Sequence, residues 1–400
     1  MKRFLYIMLA AVMLLGAVSC GNDAKNDEAN DVAENIVEEK EERPLPTTLS
    51  NTYYRLTEDK ELNVAYLGGS ITQGGNASEP AKRWVSLTTQ WLRENFPDAE
   101  INENNAGLSN TGSNYGIFRL QHDVFDIAVP DLIFIEFTSN DWGRFGDLNI
   151  SRQNESIIRK LYEVNPKIDI MFLYTSFGHD SPCRRASTAL AEHYGLVVVD
   201  PGSQLKTLID TEEGGVYDRY SNDKIHPTDE GHAFYVELIA EQFQKYLIDE
   251  KPEKAQYLDA EVPAPLNENG LFMNPEILDP LDFELPEENF EYKKRNVKML
   301  NRTYEYAIST DVAEAEFDFT FEGTGFGLLV NKTDRVSDIQ YSVDGGEFKD
   351  YAIGDMHGYN HGQMYIIEYD LEPGEHEVTI RNKESQFGTQ LHIIGICVNK

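Results

Sequence analysis

The chain has 400 residues, of which 35 are basic and 69 acidic, and its formal net charge at pH 7 is −34. This length exceeds what one compact domain usually holds, and 40% of the residues are hydrophobic, so we expect two folded units and additional processing segments. The charge excludes nucleic acid as a partner and opposes anionic lipid surfaces, because the long-range field of the protein repels them. A neutral substrate, or one with a cationic patch, is favoured.

Residues 1–20 have the layout of an export signal. Lys2 and Arg3 precede an apolar run over residues 4–18, which is too short to span a bilayer comfortably. The run ends in Ala-Val-Ser-Cys, and this ending resembles the bacterial lipobox, whose cysteine becomes the lipidated first residue after cleavage. The resemblance implies a lipoprotein signal peptide over residues 1–20 and lipidation of Cys20. A plain secretory signal with an incidental cysteine is the alternative.

Residues 21–50 are predicted to form an acidic flexible tether. They contain few large apolar side chains and many carboxylates, so burial cannot repay the entropy of ordering them. A lipid anchor alone would hold such a protein on a membrane, with no spanning helix. We expect an exported lipoprotein at the outer membrane or cell surface, and the leader does not decide between the cell surface and the periplasmic face.

Between residues 51 and 250, short apolar runs alternate with amphipathic stretches. The predicted strands cover residues 62–67, 100–104, 132–137, 168–174 and 196–199, and the predicted helices cover residues 82–95, 114–125, 152–163, 182–194 and 228–247. This alternation predicts an α/β domain over residues 51–250, in which helices cover both faces of a parallel sheet.

The composition changes after residue 250. Six prolines between residues 252 and 286 predict a linker over residues 251–297. Beyond the linker, residues 316–321 alternate apolar and polar side chains as half-buried strands do, and Asp344-Gly345-Gly346 is a turn signal. Further strands are predicted at residues 365–369, 376–380 and 391–398. The sequence therefore predicts a β-sandwich domain over residues 298–400.

A serine stands where the first predicted strand ends. Gly68, Gly69 and Ser70 lie in the sequence Leu-Gly-Gly-Ser-Ile-Thr. Open α/β sheets gather their active sites at the carboxyl ends of the strands, and the two glycines allow a sharp exit that exposes the hydroxyl. Because Gly-Gly-Ser after a strand is often only a turn, a nucleophile here requires a base elsewhere in the chain.

The candidate base is His226, which lies three residues after Asp223 and just before the last predicted helix. A carboxylate at this spacing can fix the tautomer and orientation of the imidazole, which leaves the other ring nitrogen free to take a serine proton. In the alternative interpretation, Asp223 binds loop amides and His226 merely precedes a helix with Thr228 as its N-cap.

Two further segments supply hydrogen-bond donors. Gly107 follows the second predicted strand, and Asn140 follows the third. The Gly107 amide, the Asn140 side chain and the Ser70 amide would give three donors that converge on a developing negative oxygen.

Together these segments resemble the SGNH superfamily of hydrolases, also called GDSL-like, over the whole predicted α/β domain. The resemblance implies a flavodoxin-like three-layer α/β/α sandwich. It implies that Ser70 is the nucleophile, that His226 is the general base and acid, and that Asp223 orients His226. It also implies that Ser70, Gly107 and Asn140 are the oxyanion donors.

Gly69 departs from the namesake motif of the superfamily, which has aspartate at this position. The Gly-Gly-Ser-Ile-Thr form is similar to a branch that includes carbohydrate esterases, so the departure bears on the substrate class. An ordinary α/β-hydrolase would place a Gly-x-Ser-x-Gly elbow deeper in the chain and its histidine far from its acid. Thr72 and the early position of Ser70 argue against that fold.

Other polar and aromatic residues have simpler interpretations. Arg119, His122 and Asp123 are predicted to lie on one solvated helix face with i,i+4 pairing, and the alternative is that they approach the cleft. Trp142 either stacks on a sugar ring or fills a gap in the core.

No metal ion or other cofactor is expected. His357 and His361 are four residues apart, but the glycines around them indicate a loop and not a helix that presents two ligands. Cys183 and Cys397 are expected to be separate buried thiols, and a disulfide between them is the alternative in an exported protein.

The predicted function is that of a serine esterase that removes O-acyl, favoured as O-acetyl, groups from carbohydrate. An exported enzyme with an appended β-sandwich resembles carbohydrate esterases, and the sandwich would either bind glycan or support the cleft. Because it contains no Trp, Tyr359 and Tyr365 would replace the usual sugar platform, although a structural role is favoured for both.

Two alternatives remain open from the sequence. A lipid esterase or thioesterase is disfavoured because the chain shows no apolar lid helix. A non-catalytic glycan-binding lipoprotein would not be expected to retain an intact triad, although a fold alone does not settle function. The partners expected are therefore an acylated glycan or another small ester, with membrane contact through the lipid anchor only.

Overall fold

The computed structural model describes residues 48–177, 181–211, 216–252, 261–353 and 361–400. The predicted signal peptide over residues 1–20, Cys20 and most of the predicted tether lie outside the described residues. His357 and Tyr359 lie outside them as well. In the part of the chain that the structure describes, no helix combines the length and apolar character needed to cross a membrane.

A five-stranded parallel sheet forms the centre of the first domain. Its strands are β1 (Glu61–Gly68), β2 (Glu100–Gly107), β3 (Leu132–Glu136), β4 (Asp169–Leu173) and β5 (Val197–Val199). Their order in the sheet is β2-β1-β3-β4-β5, which is the flavodoxin-like order. The predicted α/β fold with a parallel sheet is therefore confirmed.

Helices cover both faces of this sheet. They are α1 (Ser50–Tyr54), α2 (Ser70–Gln73), α3 (Trp84–Asn95), α4 (Ser113–Leu120), α5 (Thr138–Asp141), α6 (Asp147–Val164), α7 (Pro182–Tyr194), α8 (Pro201–Thr211), α9 (Val216–Tyr220) and α10 (Asp229–Phe243). Side chains of β1 alternate between the two layers. Val64 and Tyr66 join the core formed with α3 and α10, and Ala65 and Leu67 join the core formed with α4 and α6. Because β1 is buried on both sides from Val64 onward, residues 64–67 are all apolar.

The sequence did not predict α8, which begins at Pro201 directly after β5. Pro201 and Gly202 have the composition of a turn, but proline also suits the first turn of a helix, where its missing amide hydrogen is not needed.

Helix α1 closes the amino edge of the sheet. The Asn51 side chain donates to the Asp131 carbonyl at 2.7 Å, and the Thr52 amide donates to the Asp169 carboxylate at 2.6 Å. Asp131 directly precedes β3, and Asp169 begins β4. Leu49 is already fully buried at this edge. The first described residues therefore lie at the end of the sheet opposite to the carboxyl ends of its strands.

We expect Asp169 to make the free energy of unfolding depend on pH. Burial raises the pKa of this carboxyl from 3.8 to about 7, although hydrogen bonds from Thr52 oppose the shift. The folded state then binds the proton more tightly than the unfolded chain, so protonation of Asp169 adds to the free energy of unfolding. This contribution is complete below pH ~4 and is lost as the pH rises through ~7. Urea denaturation of Asp169→Asn should show a smaller fall in stability between pH ~5 and ~8 than wild type.

Glu305→Gln, which neutralises an exposed carboxylate on the second domain, is the matched control for that experiment. It should retain the slope of stability against pH that the wild type shows. If Asp169→Asn has the same slope of stability against pH as the wild type, Asp169 is not the source of this pH dependence.

The second domain consists of two antiparallel sheets. One contains β6 (Pro275–Leu278), β7 (Glu291–Met299), β8 (Arg302–Thr310), β10 (Gly325–Lys332), β13 (His361–Glu368) and β15 (Leu391–Asn399), and the other contains β9 (Glu316–Gly323), β11 (Asp338–Val343), β12 (Lys349–Tyr351) and β14 (Gly374–Lys383). Buried and exposed residues alternate strictly along β9, as its sequence predicts. The predicted turn is also present, with positive φ at Asp344 (53°) and Gly345 (68°). The predicted β-sandwich is confirmed.

Strand β6, a 3-10 turn and most of β7 lie within residues 251–297, which are predicted as a linker. Strand β6 pairs with β15, and β7 pairs with β8. Prolines stand at the start of β6 and of the turn Pro280–Asp282, where they do not interrupt a sheet. The buried Glu155 of α6 accepts the Asn267 amide at 2.8 Å and fixes the preceding segment on the first domain.

The two domains share one hydrophobic core. Every residue of β15 is buried, because one face of its sheet packs on the other sheet of the sandwich and the opposite face packs on α4 and α6. Polar contacts cross the same interface. The Asn114 side chain donates to the Met364 carbonyl at 2.6 Å, and the Tyr115 and Tyr304 hydroxyls lie 3.1 Å apart. The sandwich is thus packed against the α/β domain in a defined position.

Candidate active site

The turn that carries Ser70 is built by a change from strand to helix without an intervening loop. Strand β1 ends at Gly68, and α2 begins at Ser70. The Gly69 amide donates to the Glu136 carbonyl at 3.3 Å, which holds the turn against the end of β3. A side chain at position 68 would overlap the Thr72 hydroxyl and the Glu136 carbonyl, so the close approach of these elements requires glycine there.

Ser70, His226 and Asp223, the three residues predicted to act together, are in hydrogen-bond contact. His226 Nε2 lies 2.8 Å from Ser70 Oγ, and His226 Nδ1 lies 2.6 Å from Asp223 Oδ2. The second carboxylate oxygen of Asp223 accepts the amides of Ile225 (2.9 Å) and His226 (2.7 Å). Asp223 therefore binds loop amides, as the alternative interpretation expected, and also orients the imidazole.

The electrostatics of Asp223 favour its charged form. Burial opposes ionisation, but hydrogen bonds from the His226 side chain and from the His226 and Ile225 amides outweigh it, so the pKa of Asp223 lies below its ordinary value. An ionised Asp223 accepts a hydrogen bond from the Nδ1–H of His226, which leaves Nε2 without a proton to face the Ser70 hydroxyl. Thr228 caps α10 by accepting the Gly231 amide at 3.2 Å, and His226 lies two residues before this cap.

His232 is a residue of this region that the sequence analysis did not single out. It is fully buried, accepts the Trp84 amide on Nδ1 at 3.2 Å and lies with Nε2 3.2 Å from the Gly75 carbonyl. Burial lowers the pKa of His232 to about 4, so the ring is neutral at pH 7. It fixes Gly75, whose backbone packs against the ring of His226. No sequence motif marks this role, because it depends on the packing of α10 against α3.

Asn140 lies on the short helix α5, directly after β3, and lines the same cleft as Ser70. A side chain at position 69 would overlap the Asn140 amide. Glycine at position 69 therefore allows Asn140 to approach the Ser70 turn. The neighbouring Asp141 is buried and accepts the Ser113 amide at 3.0 Å, which fixes this helix from α4.

Gly107 occupies a different place from the other two predicted oxyanion donors. Its amide donates to the Asn105 side chain at 2.9 Å, and it is not among the residues that line the cleft. A side chain at position 107 would overlap the backbone of Thr72 and Gln73. In this structure, Gly107 allows β2 to pack closely under α2, whereas Ser70 and Asn140 line the cleft.

The cleft in front of Ser70 has a volume of about 630 Å³ and receives residues from both domains. Among the described residues, its lining consists of Ser70, Ser109, Asn110, Ser139, Asn140, Trp142, Arg144, Ile225, His226 and His361. His361 begins β13 of the sandwich and contacts the Asn110 side chain, which also accepts Arg144 Nη2 at 2.7 Å. None of these lining residues carries a carboxylate, although the whole chain is strongly acidic.

Some residues lie elsewhere than predicted. Arg119 and Asp123 are buried, so the prediction of a solvated helix face is wrong for both, although their i,i+4 ion pair is present at 3.1 Å. Arg119 also donates to the carbonyls of Ala106 (2.6 Å) and Gly68 (2.9 Å), and these contacts at the ends of β1 and β2 explain its burial. His122 is exposed and pairs with Asp126.

Trp142 and the cysteines have clear positions. Trp142 is 54% exposed at the cleft, which rules out the prediction that it fills a core gap. Cys183 and Cys397 are separate buried thiols, as expected. Across the described ranges, no group of three or more His, Cys, Asp or Glu side chains is arranged to hold a metal ion.

Comparison with known proteins agrees with this geometry. Residues 66–234 match the GDSL-like Lipase/Acylhydrolase family. The chain has no match among curated proteins. Among solved structures, it is similar to a two-domain esterase (CEX) active on acetylated mannans and co-crystallized with mannopentaose. The TM-score is 0.73 and the identity 20%, over 89% of this chain and 96% of that chain.

A second crystal structure of the two-domain esterase gives a TM-score of 0.72 and 19% identity, over 89% of this chain and 97% of that chain. Similarity at this identity shows that the two-domain fold is shared. The residues that match the GDSL-like Lipase/Acylhydrolase family model lie within the α/β domain and include Ser70, Asp223 and His226.

Proposed function

We propose that this protein is a serine esterase that hydrolyses O-acetyl esters on carbohydrate. The observation that carries the proposal is the continuous hydrogen-bonded chain from Ser70 through His226 to Asp223, at 2.8 Å and 2.6 Å. It lies at the carboxyl edge of the sheet, where α/β folds bind their ligands, and it opens into a cleft large enough for a sugar ester.

The reaction proceeds in two steps. Ser70 Oγ attacks the acyl carbonyl carbon while His226 Nε2 takes the hydroxyl proton, and the resulting oxyanion accepts hydrogen bonds from the Ser70 amide and the Asn140 side chain. The tetrahedral intermediate then expels the sugar oxygen, which receives the proton from His226. Water then attacks the carbonyl carbon of the acyl-serine while His226 takes a proton from it. The second tetrahedral intermediate collapses, releases the acid and restores the Ser70 hydroxyl with the proton from His226.

The cleft itself favours a carbohydrate as the alcohol part of the ester. Trp142 exposes an indole beside Asn140, and exposed rings of this kind can stack on sugar faces. Ser109, Asn110 and Ser139 provide neutral hydrogen-bonding groups of the type that pairs with sugar hydroxyls. The two-domain esterase with the similar fold acts on acetylated mannans, and this supports a polysaccharide as the first substrate to test.

The test measures acetate release by the purified protein from acetylated mannan, acetylated xylan and acetylated pectin, together with p-nitrophenyl esters of increasing acyl length. Release of acetate from a polysaccharide, with activity that falls as the acyl chain lengthens, would support the proposal. Preference for long acyl chains would favour a lipid esterase. Inactivity on every ester would overturn the assignment as an esterase and would favour a glycan-binding protein.

His361 provides a prediction about the contribution of the sandwich. Because it lines the cleft from the second domain, we expect His361→Ala to raise KM for acetylated polysaccharide by about 10-fold through lost substrate contacts. Its kcat/KM on p-nitrophenyl acetate should change by less than about 2-fold, since this small ester does not reach the sandwich. Steady-state kinetics on both substrates provides the measurement.

His122→Ala removes an exposed histidine of the first domain that pairs with Asp126 and should leave both substrates unaffected. Equal losses on the polymer and the small ester in His361→Ala would show that His361 supports the fold and does not contact substrate.

We also propose that the protein is an exported lipoprotein acylated at Cys20. The run from Lys2 to Cys20, which resembles a lipoprotein signal peptide, supports this proposal. Metabolic labelling with a fatty-acid analogue tests this directly. Label that is lost in Cys20→Ala supports acylation, and label that persists contradicts it.

A further inference from the structure

Glu136 is a buried carboxyl group beneath the turn that carries Ser70. It is the last residue of β3, and its side chain is fully buried. Within the described ranges, no Lys, Arg or His side chain lies within 4 Å of its carboxylate. A buried carboxyl without an ion pair is costly, so its hydrogen-bond partners account for its retention in the fold.

The first set of partners belongs to the Ser70 turn. The Thr72 hydroxyl donates to Glu136 Oε2 at 2.9 Å, and the Gly69 amide donates to the Glu136 backbone carbonyl at 3.3 Å. Gly69 and Thr72 flank Ser70 within four consecutive residues. Glu136 therefore holds the nucleophile turn at two points, one through its backbone and one through its side chain.

The second set of partners leads to Asn140. The Thr175 hydroxyl donates to Glu136 Oε1 at 2.6 Å and lies 2.9 Å from the Ser139 hydroxyl, which lines the cleft next to Asn140. The Thr175 amide donates to the Thr138 hydroxyl at 2.9 Å, on the same short helix. The network thus continues from Glu136 into α5.

We propose that Glu136 is a positioning residue for the reaction. Its two carboxyl oxygens connect the turn that carries the Ser70 amide to the helix that carries Asn140. They keep the Ser70 amide and the Asn140 side chain directed at the oxyanion of the tetrahedral intermediate. This inference rests on the proposed esterase function. Oxyanion stabilisation depends on donors placed to within fractions of an ångström. Loss of the Glu136 hydrogen bonds therefore lowers kcat, while substrate binding is retained.

The surroundings of Glu136 agree with this role. Burial raises the pKa of Glu136 to about 7, although hydrogen bonds from Thr175 and Thr72 oppose the shift. Tyr235 of α10 is a titratable neighbour whose ionisation Glu136 disfavours. Arg119 of α4 donates to the carbonyl of Gly68, the last residue of β1, at 2.9 Å. The network accepts a neutral group of the same shape, because the threonine hydroxyls can rotate to donate or accept.

The experiment compares Glu136→Gln and Glu136→Leu with wild type on p-nitrophenyl acetate. We expect Glu136→Leu to lower kcat by at least about 100-fold with KM within about 3-fold, and Glu136→Gln to remain within about 10-fold in kcat because the amide rebuilds the contacts. The matched control is Glu155→Leu, which removes an equally buried carboxylate from α6 that bonds the Asn267 amide. It should lower the Tm and leave kcat within about 3-fold.

Several outcomes would overturn the inference. These are a folded Glu136→Leu with wild-type kcat, an effect on KM alone, or an equal loss of kcat in Glu155→Leu at a matched drop in Tm. If Glu136→Leu does not fold, Thr72→Val replaces it, with an expected loss of about 10-fold in kcat, and an unchanged kcat in that variant also overturns the inference. If the wild type is inactive on every ester, the proposed function itself is overturned. The results for the Glu136 variants bear only on the positioning role and do not overturn the proposed function.

Discussion

Ser70→Ala is expected to reduce ester hydrolysis by about 10⁴-fold or more. The Ser70 hydroxyl is the only protein group in the proposed mechanism that forms a bond to the acyl carbon, and His226 Nε2 lies 2.8 Å from it. Without the hydroxyl, the cleft can still bind the ester and stabilise charge, but no acyl-enzyme forms. Initial rates of acetate release from p-nitrophenyl acetate, at enzyme concentrations high enough to detect residual activity, measure the loss.

The Ser70→Ala variant should fold as the wild type does. The change removes one half-buried oxygen whose partner is the half-exposed imidazole of His226, so we expect a change of less than about 0.5 kcal/mol in the free energy of unfolding. Ser86→Ala on α3 is the matched control and should keep full activity. Retention of more than about 1% of the wild-type rate in Ser70→Ala would contradict the assignment of the nucleophile.

Gly69→Asp, which introduces the residue of the superfamily's namesake motif, is expected to lower kcat by about 10²- to 10³-fold. A side chain at position 69 overlaps the Asn140 amide, which is the flexible end of a side chain and must move away. The fold should therefore tolerate the change, while one oxyanion donor is displaced. The Gly69→Ala variant should show most of the same loss, because the overlap begins at Cβ.

Gly146→Ala is the matched control for these substitutions. A side chain at position 146 meets no atom within 4 Å, so activity should not change. Steady-state kinetics together with thermal denaturation separates a loss of catalysis from a loss of stability. We expect Gly69→Asp to lose kcat with little change in Tm. A fully active Gly69→Asp would show that Asn140 does not act where the structure places it.

The core of the α/β domain could be predicted from the sequence because each element has a local signal. Strand β3 is an apolar run bounded by Pro130 and Asn140, and its burial on both faces follows from that run. Contact between Ser70 and His226 also follows from the sequence, since both adjoin the carboxyl edge of one sheet. The distances of 2.6 Å and 2.8 Å in the hydrogen-bonded chain required the structure.

Other parts of the candidate site depend on contacts between distant segments, and no local pattern reports them. His361 reaches the cleft because the sandwich packs on α4 through a shared core, and the sequence shows neither that core nor the pairing of β6 with β15. Arg119 appeared solvated because its i,i+4 partner Asp123 suggested an exposed helix face. Its burial follows from the backbone carbonyls that it binds.

The central claim is that Ser70 is an activated nucleophile, and reaction with a small organophosphonate fluoride tests it most directly. Such reagents phosphonylate serines that a neighbouring base has activated. We expect one adduct per chain by intact mass, located on Ser70 by peptide mapping, with labelling slowed by at least about 100-fold in His226→Ala. An adduct on another serine, or undiminished ester hydrolysis by a protein that takes up no label, would contradict it.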